Sequence, residues 1–133
     1  MTAALTYEGG LRTRMTHLKS GEVVITDAPT DNHGKGEAFS PTDLVATALA
    51  SCMLTTMGIK ANQLGINMDG TTAEVLKVMA SDPRRIAEVH VKLAMPDKNY
   101  SDKDKAVLEN TALTCPVAKS LHSDVLQHVE FSW

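Results

Sequence analysis

The feature that most constrains the fold of this chain is a predicted helix that is apolar on every face. Residues 40–43 (Ser-Pro-Thr-Asp) form a strong helix start. Ser40 can cap the N-terminus of the helix, and the proline suits the first helical position. Asp43 occupies the position of the acidic residue in a capping box. The helix is predicted to run to about Leu64, with Gly65 as its stop. A helix that is apolar all round is buried on all sides. One sheet from so small a chain covers only one side, so we expect a second copy of the helix to cover the other.

The remaining hydrophobic patterns predict six strands and two shorter helices. The strands fall over residues 2–7, 11–18, 22–26, 72–80, 86–95 and 125–133, and the helices over about 101–113 and 116–122. The predicted order is therefore β-β-β-α-β-β-α-α-β. Because strands and helices are clustered rather than alternating, we expect the α+β class, with a mainly antiparallel sheet around the long buried helix. The length of 133 residues predicts a single domain over residues 1–133.

Charge and the N-terminal sequence exclude several classes of function. The formal net charge is -3, so nothing favours binding to nucleic acid or to an anionic membrane. The longest uninterrupted apolar run is far shorter than the roughly 18 residues of a membrane helix. No basic segment followed by an apolar one opens the chain, so no signal peptide is predicted and we expect a cytoplasmic protein.

Two cysteines are the strongest candidates for chemistry. Cys52 lies in the middle of the apolar helix, where a free cysteine is commonly a small core residue. Cys115 precedes Pro116 and so falls at the N-cap of the last helix, where backbone N–H groups and the helix dipole are expected to lower the pKa of a thiol; it could equally be a capping residue without a reactive role. If the two thiols meet, one can form a sulfenic acid that the other converts to a disulfide.

Such chemistry needs a cation near the thiolate. Arg12 and Arg14 share one face of the second strand and are the candidates, although a solvated strand face also explains them. Residues 27–40 are rich in glycine and polar side chains, which is typical of a functional loop. The five histidines show no spacing of the His-x-x-x-His kind, so no metal site is predicted.

Two segments resemble the OsmC/Ohr family. They are Ser-Pro-Thr-Asp-Leu-Val-Ala-Thr-Ala-Leu-Ala-Ser-Cys-Met at residues 40–53 and Thr-Cys-Pro-Val-Ala at residues 114–118, and the two cysteines are 63 positions apart. The resemblance implies an intertwined homodimer whose two central helices pack back to back inside the sheets. It also implies a thiol-dependent peroxidase that reduces organic hydroperoxides, with Cys52 as the peroxidatic thiol and Cys115 as the resolving thiol. No metal or organic cofactor is implied, and the reductant would be a dihydrolipoyl group or a small dithiol.

The resemblance also concerns the arginine. The family's arginine follows a glycine-rich turn in an early strand, which makes Arg12 the nearest match and Arg14 the alternative. The peroxidase branches carry a glutamate directly after the helix-starting proline, where it holds the arginine; this chain has Thr42 there. Asp43 and Glu37 are the candidate replacements.

Two functions of different classes follow. The leading hypothesis is a cytoplasmic, homodimeric, cysteine-based hydroperoxide reductase that acts in defence against oxidative stress. The alternative is a dimer of the same fold that binds a small apolar or acyl ligand without peroxidase activity, with both cysteines as ordinary structural residues; the absence of the glutamate favours it. A third interpretation is an interaction protein with no ligand.

Overall fold

The computed structural model describes all 133 residues, and its elements follow the predicted order. They are β1 (Ala3–Gly9), β2 (Arg12–His17), β3 (Val23–Asp27), α1 (Pro41–Leu64), β4 (Thr72–Ala80), β5 (Arg85–Ala94), α2 (Asp102–Leu113), α3 (Pro116–Ser120) and β6 (Leu126–Ser132). A short 3-10 turn over Thr30–Asn32 is the one addition. The chain divides into two compact units, Met1–Val45 and Ala46–Trp133. A single domain over 1–133 stays a prediction.

The first unit contains an antiparallel meander in which β2 lies between β1 and β3. Glycines with positive φ at positions 9 and 10 form the turn between β1 and β2. The β2–β3 register places Arg12 opposite Asp27, the last residue of β3. Asp27 is buried, whereas the two valines that open β3 are exposed. The strand therefore leads from solvent to a buried carboxylate.

The loop after β3 folds back onto the end of that strand. The N–H groups of Gly34 and Gly36 donate to the carbonyl oxygens of Pro29 and Ala28. A Cβ added at Gly34 would lie 1.6 Å from the Ala28 carbonyl oxygen, so the close approach requires glycine at this position. The return of the loop brings the backbone N–H of Glu37 to within 3.1 Å of an Asp27 carboxylate oxygen.

The start of α1 is the capping box that the sequence predicts. The N–H of Asp43 donates to Ser40 Oγ at 3.1 Å, and the N–H of Ser40 donates to Asp43 Oδ2 at 2.9 Å. At the other end the helix finishes at Leu64, and Gly65 adopts a positive φ of 69°. Both ends of α1 agree with the prediction.

A single chain does not bury α1 on all sides. Its buried residues form one stripe: Ala46, Leu49, Ala50, Met53, Met57 and Ala61. The opposite side is less buried and carries Ala48, Ser51, Thr55, Ile59 and Asn62. One chain therefore covers one face of α1. The exposed face is the one on which the sequence predicts a second copy.

The second unit holds the other sheet, in the order β4-β5-β6. β4 and β5 form the predicted antiparallel hairpin, but β6 pairs with β5 in parallel. The strands therefore form two three-stranded sheets, in which three of the four pairings are antiparallel. Alternate residues of β5, Val89, Val91 and Leu93, point into a core that also contains the buried stripe of α1.

α1 is the one helix that is long and apolar enough to span a membrane by length and composition. The core helix of a soluble protein can have the same length and the same apolar composition. Because the helix contributes its buried stripe to the core, the fold is consistent with a soluble protein.

Candidate functional site

The structure brings together the two cysteines of the second unit. Cys52 lies on α1, one residue before the fully buried Met53, and Cys115 follows the end of α2. Both thiols are free. Cys115 belongs to the buried core and Cys52 packs against that core, where its side chain helps to raise the pKa of the Cys115 thiol. Two thiols that are 63 positions apart in the sequence are therefore neighbours in the fold.

The local structure at Cys115 is the predicted helix start. Cys115 has extended backbone dihedrals (φ −62°, ψ 154°), and Pro116 occupies the first helical position of α3. The Cys115 Sγ accepts the N–H of Ala118 at 3.4 Å. The sulfur therefore takes the place of the usual hydroxyl or carboxylate cap.

The expected lowering of the Cys115 pKa is wrong. Cys115 is only 1% exposed, and this burial raises the pKa of its thiol, because removal from water disfavours the charged thiolate. Hydrogen bonds from the backbone N–H groups of Ala118 and Val117 act in the opposite direction but are weaker, and the neighbouring Cys52 side chain raises the pKa further. Cys115 is therefore a neutral thiol at neutral pH, and Cys52, which is half-buried, is the member of the pair with access to solvent.

Arg12 forms the centre of a second cluster, within the first unit. Its Nε donates to Asp27 Oδ1 at 2.7 Å and its Nη2 to Asp27 Oδ2 at 2.8 Å, a bidentate pair. Nη2 also donates to Glu37 Oε2 at 3.1 Å. The guanidinium lowers the pKa of Asp27, first by hydrogen bonding, and the two carboxylates raise the pKa of Arg12. Nη1 makes no protein hydrogen bond, so it is free to donate to a ligand.

The other candidate residues lie elsewhere in the first unit. Arg14 pairs with Glu8 of β1. Asp43 closes the capping box with Ser40, as described above. Thr42, at the position where the family resemblance predicts glutamate, has its hydroxyl 3.1 Å from Ser40 Oγ. Of the two candidate replacements for that glutamate, Glu37 is the one with a direct hydrogen bond to Arg12.

Asp27, the main partner of Arg12, is not among the residues that the sequence predicts for the site. A signal was present, because an acidic residue ends the run of β-branched residues Val-Val-Ile-Thr in the third strand. The predicted meander pairs β2 with β3, so an arginine at the start of β2 falls opposite the end of β3. The pair becomes visible only once the register of the two strands is known.

Fold and cysteines together define an α+β protein with two free thiols in its second unit. The family model described as OsmC-like protein matches residues 34–129, and the chain belongs to that family. Proteins of this family are not known to need a cofactor, and their structures are typically homodimers.

Solved structures support the same fold. One is a protein from Psychrobacter arcticus 273-4 that is described as a candidate osmotic stress induced and detoxification response protein. It is 58% identical with a TM-score of 0.94, and the match covers 98% of this chain and 95% of the Psychrobacter chain. The organic hydroperoxide resistance protein OsmC from Legionella pneumophila is 16% identical with a TM-score of 0.78, over 100% of this chain and 98% of its own. The organic hydroperoxide resistance protein OhrB of Bacillus subtilis is 20% identical with a TM-score of 0.69, and the match covers 99% of this chain and 98% of OhrB. No curated protein matches this chain.

Proposed function

We propose that this protein is a thiol-dependent peroxidase that reduces organic hydroperoxides with Cys52 and Cys115. The observation that carries the proposal is that both cysteines lie in one core cluster, Cys115 inside it and Cys52 packed against it. A disulfide requires Cα atoms within about 7 Å of each other, so the proposal requires the Cα atoms of Cys52 and Cys115 to reach that separation when the bond forms. The names of several structural relatives, which refer to organic hydroperoxide resistance, indicate the class of oxidant.

The reaction has three steps. The Cys52 thiolate attacks the outer oxygen of the hydroperoxide, the O–O bond breaks, and the alkoxide leaves with a proton as the alcohol, while Cys52 becomes a sulfenic acid. The Cys115 sulfur then attacks the Cys52 sulfur, and water leaves as the disulfide forms. An external dithiol, for which a dihydrolipoyl group is the candidate, reduces the disulfide by thiol–disulfide exchange and is itself oxidised to a disulfide.

Burial supports this division of roles between the cysteines. The first thiol must meet a peroxide from solution, and Cys52 is the more exposed of the two. The second thiol needs to meet only its partner, and Cys115 is buried beside it. A neutral Cys115 thiol also avoids a second negative charge next to the Cys52 thiolate.

We also propose that Arg12 stabilises the reacting thiolate and orients the peroxide, the role that the family resemblance implies. The bidentate pair with Asp27 restricts its guanidinium to one orientation. The three side chains Arg12, Asp27 and Glu37 carry a net formal charge of -1, so Arg12 would act through the directed N–H donors of Nη1 rather than through net positive charge. The proposal includes a homodimer in the cytoplasm.

The experiment follows peroxide consumption and thiol state together. Reduced wild type with cumene hydroperoxide and a dithiol is expected to consume peroxide and, when the dithiol is omitted, to lose two hydrogens per chain in a non-reducing mass measurement. Cys52→Ser should lose the activity, whereas Cys115→Ser should stop at a sulfenic acid that dimedone traps. Arg12→Ala should slow the first step, with Arg14→Ala as the matched control two residues along β2. Equal, slow consumption by wild type and Cys52→Ser would refute the peroxidase.

The second candidate function is binding of a small apolar or acyl ligand without peroxidase activity. A groove of about 300 Å³ between α1 and β4 favours it, since its walls are mainly apolar or small. The lining residues are Thr47, Ala50, Ser51, Leu54, Thr55, Ala73 and Val75, and neither cysteine is among them. This function predicts a copurifying apolar ligand and no intramolecular disulfide after peroxide treatment.

A further inference from the structure

The outer face of the second sheet carries two histidines and a glutamate side by side. Glu88 and His90 are two residues apart on β5, so both point away from the core side of that strand. The parallel pairing of β6 places His128 directly opposite His90. The pairing of β5 and β6 therefore joins residues that are distant in the sequence.

The ligand atoms of these three side chains lie within 4.8 Å of one another. Glu88 Oε2 is 2.7 Å from His90 Nε2 and 3.4 Å from His128 Nε2. The two imidazole rings stack with centroids 4.4 Å apart and an interplanar angle of 25°. One carboxylate oxygen thus faces both Nε2 atoms, and the stacking holds the two rings side by side.

We propose that Glu88, His90 and His128 form a binding site for a divalent transition-metal ion of the Zn²⁺ type. Two imidazole nitrogens and one carboxylate oxygen are a ligand set that Zn²⁺ takes together with a water molecule in the fourth position. With metal–ligand bonds of about 2.0–2.1 Å, tetrahedral ligand atoms lie roughly 3.3 Å apart. The 3.4 Å between Glu88 Oε2 and His128 Nε2 already matches this spacing, and the 2.7 Å contact with His90 needs a small rotation of the side chains.

The surroundings favour a cation that reaches the site from solvent. The side chains of Glu88, His90 and His128 are 33%, 35% and 49% exposed, so water can reach the position left open for it. The ammonium group of Lys92, the nearest cation along β5, lies 3.9 Å from the Glu130 carboxylate, which offsets its charge. Exposed leucines flank the cluster on both neighbouring strands: Leu76 lies opposite His90, and Leu126 opposite Glu88.

The site is distinct from the thiol pair. Val89 and Val91, which alternate with the ligands along β5, belong to the same buried core as Cys115. Zn²⁺ also binds thiolates, so a test must separate the two possibilities. Replacing both cysteines by serine removes the competing ligands and leaves the outer face of the sheet unchanged.

The experiment is titration of Zn²⁺ into the protein by calorimetry, with wild type and the Cys52→Ser/Cys115→Ser variant compared. The double variant is expected to bind one Zn²⁺ per chain. His128→Gln in that background should weaken binding by at least about tenfold. His122→Gln is the matched control, because His122 also lies beside a carboxylate, 3.6 Å from Asp124, but has no second histidine. Circular dichroism of each variant checks that the fold is retained.

Substitution of Co²⁺ for Zn²⁺ gives a second readout. Bound Co²⁺ in the double variant should show the visible absorption of a tetrahedral site, which His128→Gln removes and His122→Gln retains. Binding in wild type that disappears in the double variant would place the metal on the thiols and overturn the proposal. Equal affinity of the double variant with and without His128→Gln would also overturn it, leaving the cluster as a hydrogen-bonded group only.

Discussion

Ile59→Ala tests whether a second copy of the chain covers the open face of α1. Ile59 is 56% exposed and lies seven residues, nearly two helical turns, after Cys52 on the same side of the helix. Ala48, Ser51 and Thr55 occupy the same side, and their small side chains allow another helix to approach closely. If this face forms the dimer, Ile59 is the largest apolar group that α1 contributes along it.

The size of the effect follows from the exposure of Ile59. Complete burial of an isoleucine contributes about 1.5–3 kcal/mol. Because 56% of Ile59 is exposed in one chain, covering that part contributes about 1 kcal/mol, allowing for the methyl group that alanine retains. A symmetric dimer contains the contact twice, so the variant loses about 2 kcal/mol of association free energy, which is roughly a 30-fold larger dissociation constant.

Sedimentation equilibrium over a range of protein concentrations measures that constant directly. Leu76→Ala is the control, since Leu76 is 61% exposed but lies on the outer face of the second sheet. Its dissociation constant should equal that of wild type. If Ile59→Ala dimerises as tightly as Leu76→Ala, or if wild type remains a monomer at high concentration, then the open face of α1 is not the dimer contact.

Three further changes have defined outcomes. Met53→Ala removes a fully buried side chain from the core and should lower the free energy of unfolding by about 2–5 kcal/mol in urea denaturation; a loss below about 1 kcal/mol would contradict the packing. Ser40→Ala removes the cap of α1 and should cost about 1 kcal/mol by the same measurement, whereas the exposed Ser51→Ala should cost nothing. Asp27→Asn should make the free energy of unfolding less dependent on pH in acid. Arg12 lowers the pKa of Asp27 in the folded state. The stabilisation by the Asp27 carboxylate is therefore present above the unfolded pKa of about 3.9 and is lost as pH falls through the lower folded pKa. Urea midpoints that fall equally in wild type and Asp27→Asn between about pH 6 and pH 2 would contradict this pairing.

Local signals were sufficient to predict the elements and several of their ends. The Ser-Pro-Thr-Asp start of α1 works through hydrogen bonds that span only three residues, so the capping box is confirmed. Cys115 at the N-cap of α3 is a prediction of the same kind, because Pro116 sets the first helical position. The confirmed order of strands and helices rests likewise on periodicity within each segment.

What the sequence did not predict depends on contacts between distant segments. The parallel pairing of β6 brings His90 and His128 together, although their positions in the sequence give no metal spacing. The Cys115 pKa moves opposite to the expected direction, because burial by the rest of the core outweighs the local N–H groups. Asp27 becomes the partner of Arg12 through strand register. In each case the deciding quantity is tertiary and has no local signature.

The alternation of β5 separates the two proposed chemistries of the second unit. A thiolate binds Zn²⁺ well, so a metal near Cys52 would compete with a peroxide for the same sulfur. Glu88 and His90 point to the outer face, whereas the intervening Val89 belongs to the core that contains Cys115. The metal would therefore be held by imidazole and carboxylate on one side of the sheet, while the sulfurs stay available to each other on the other side. Because β5 presents the proposed metal ligands on the face opposite the core that contains Cys115, a thiol redox cycle and a metal site can coexist in this fold.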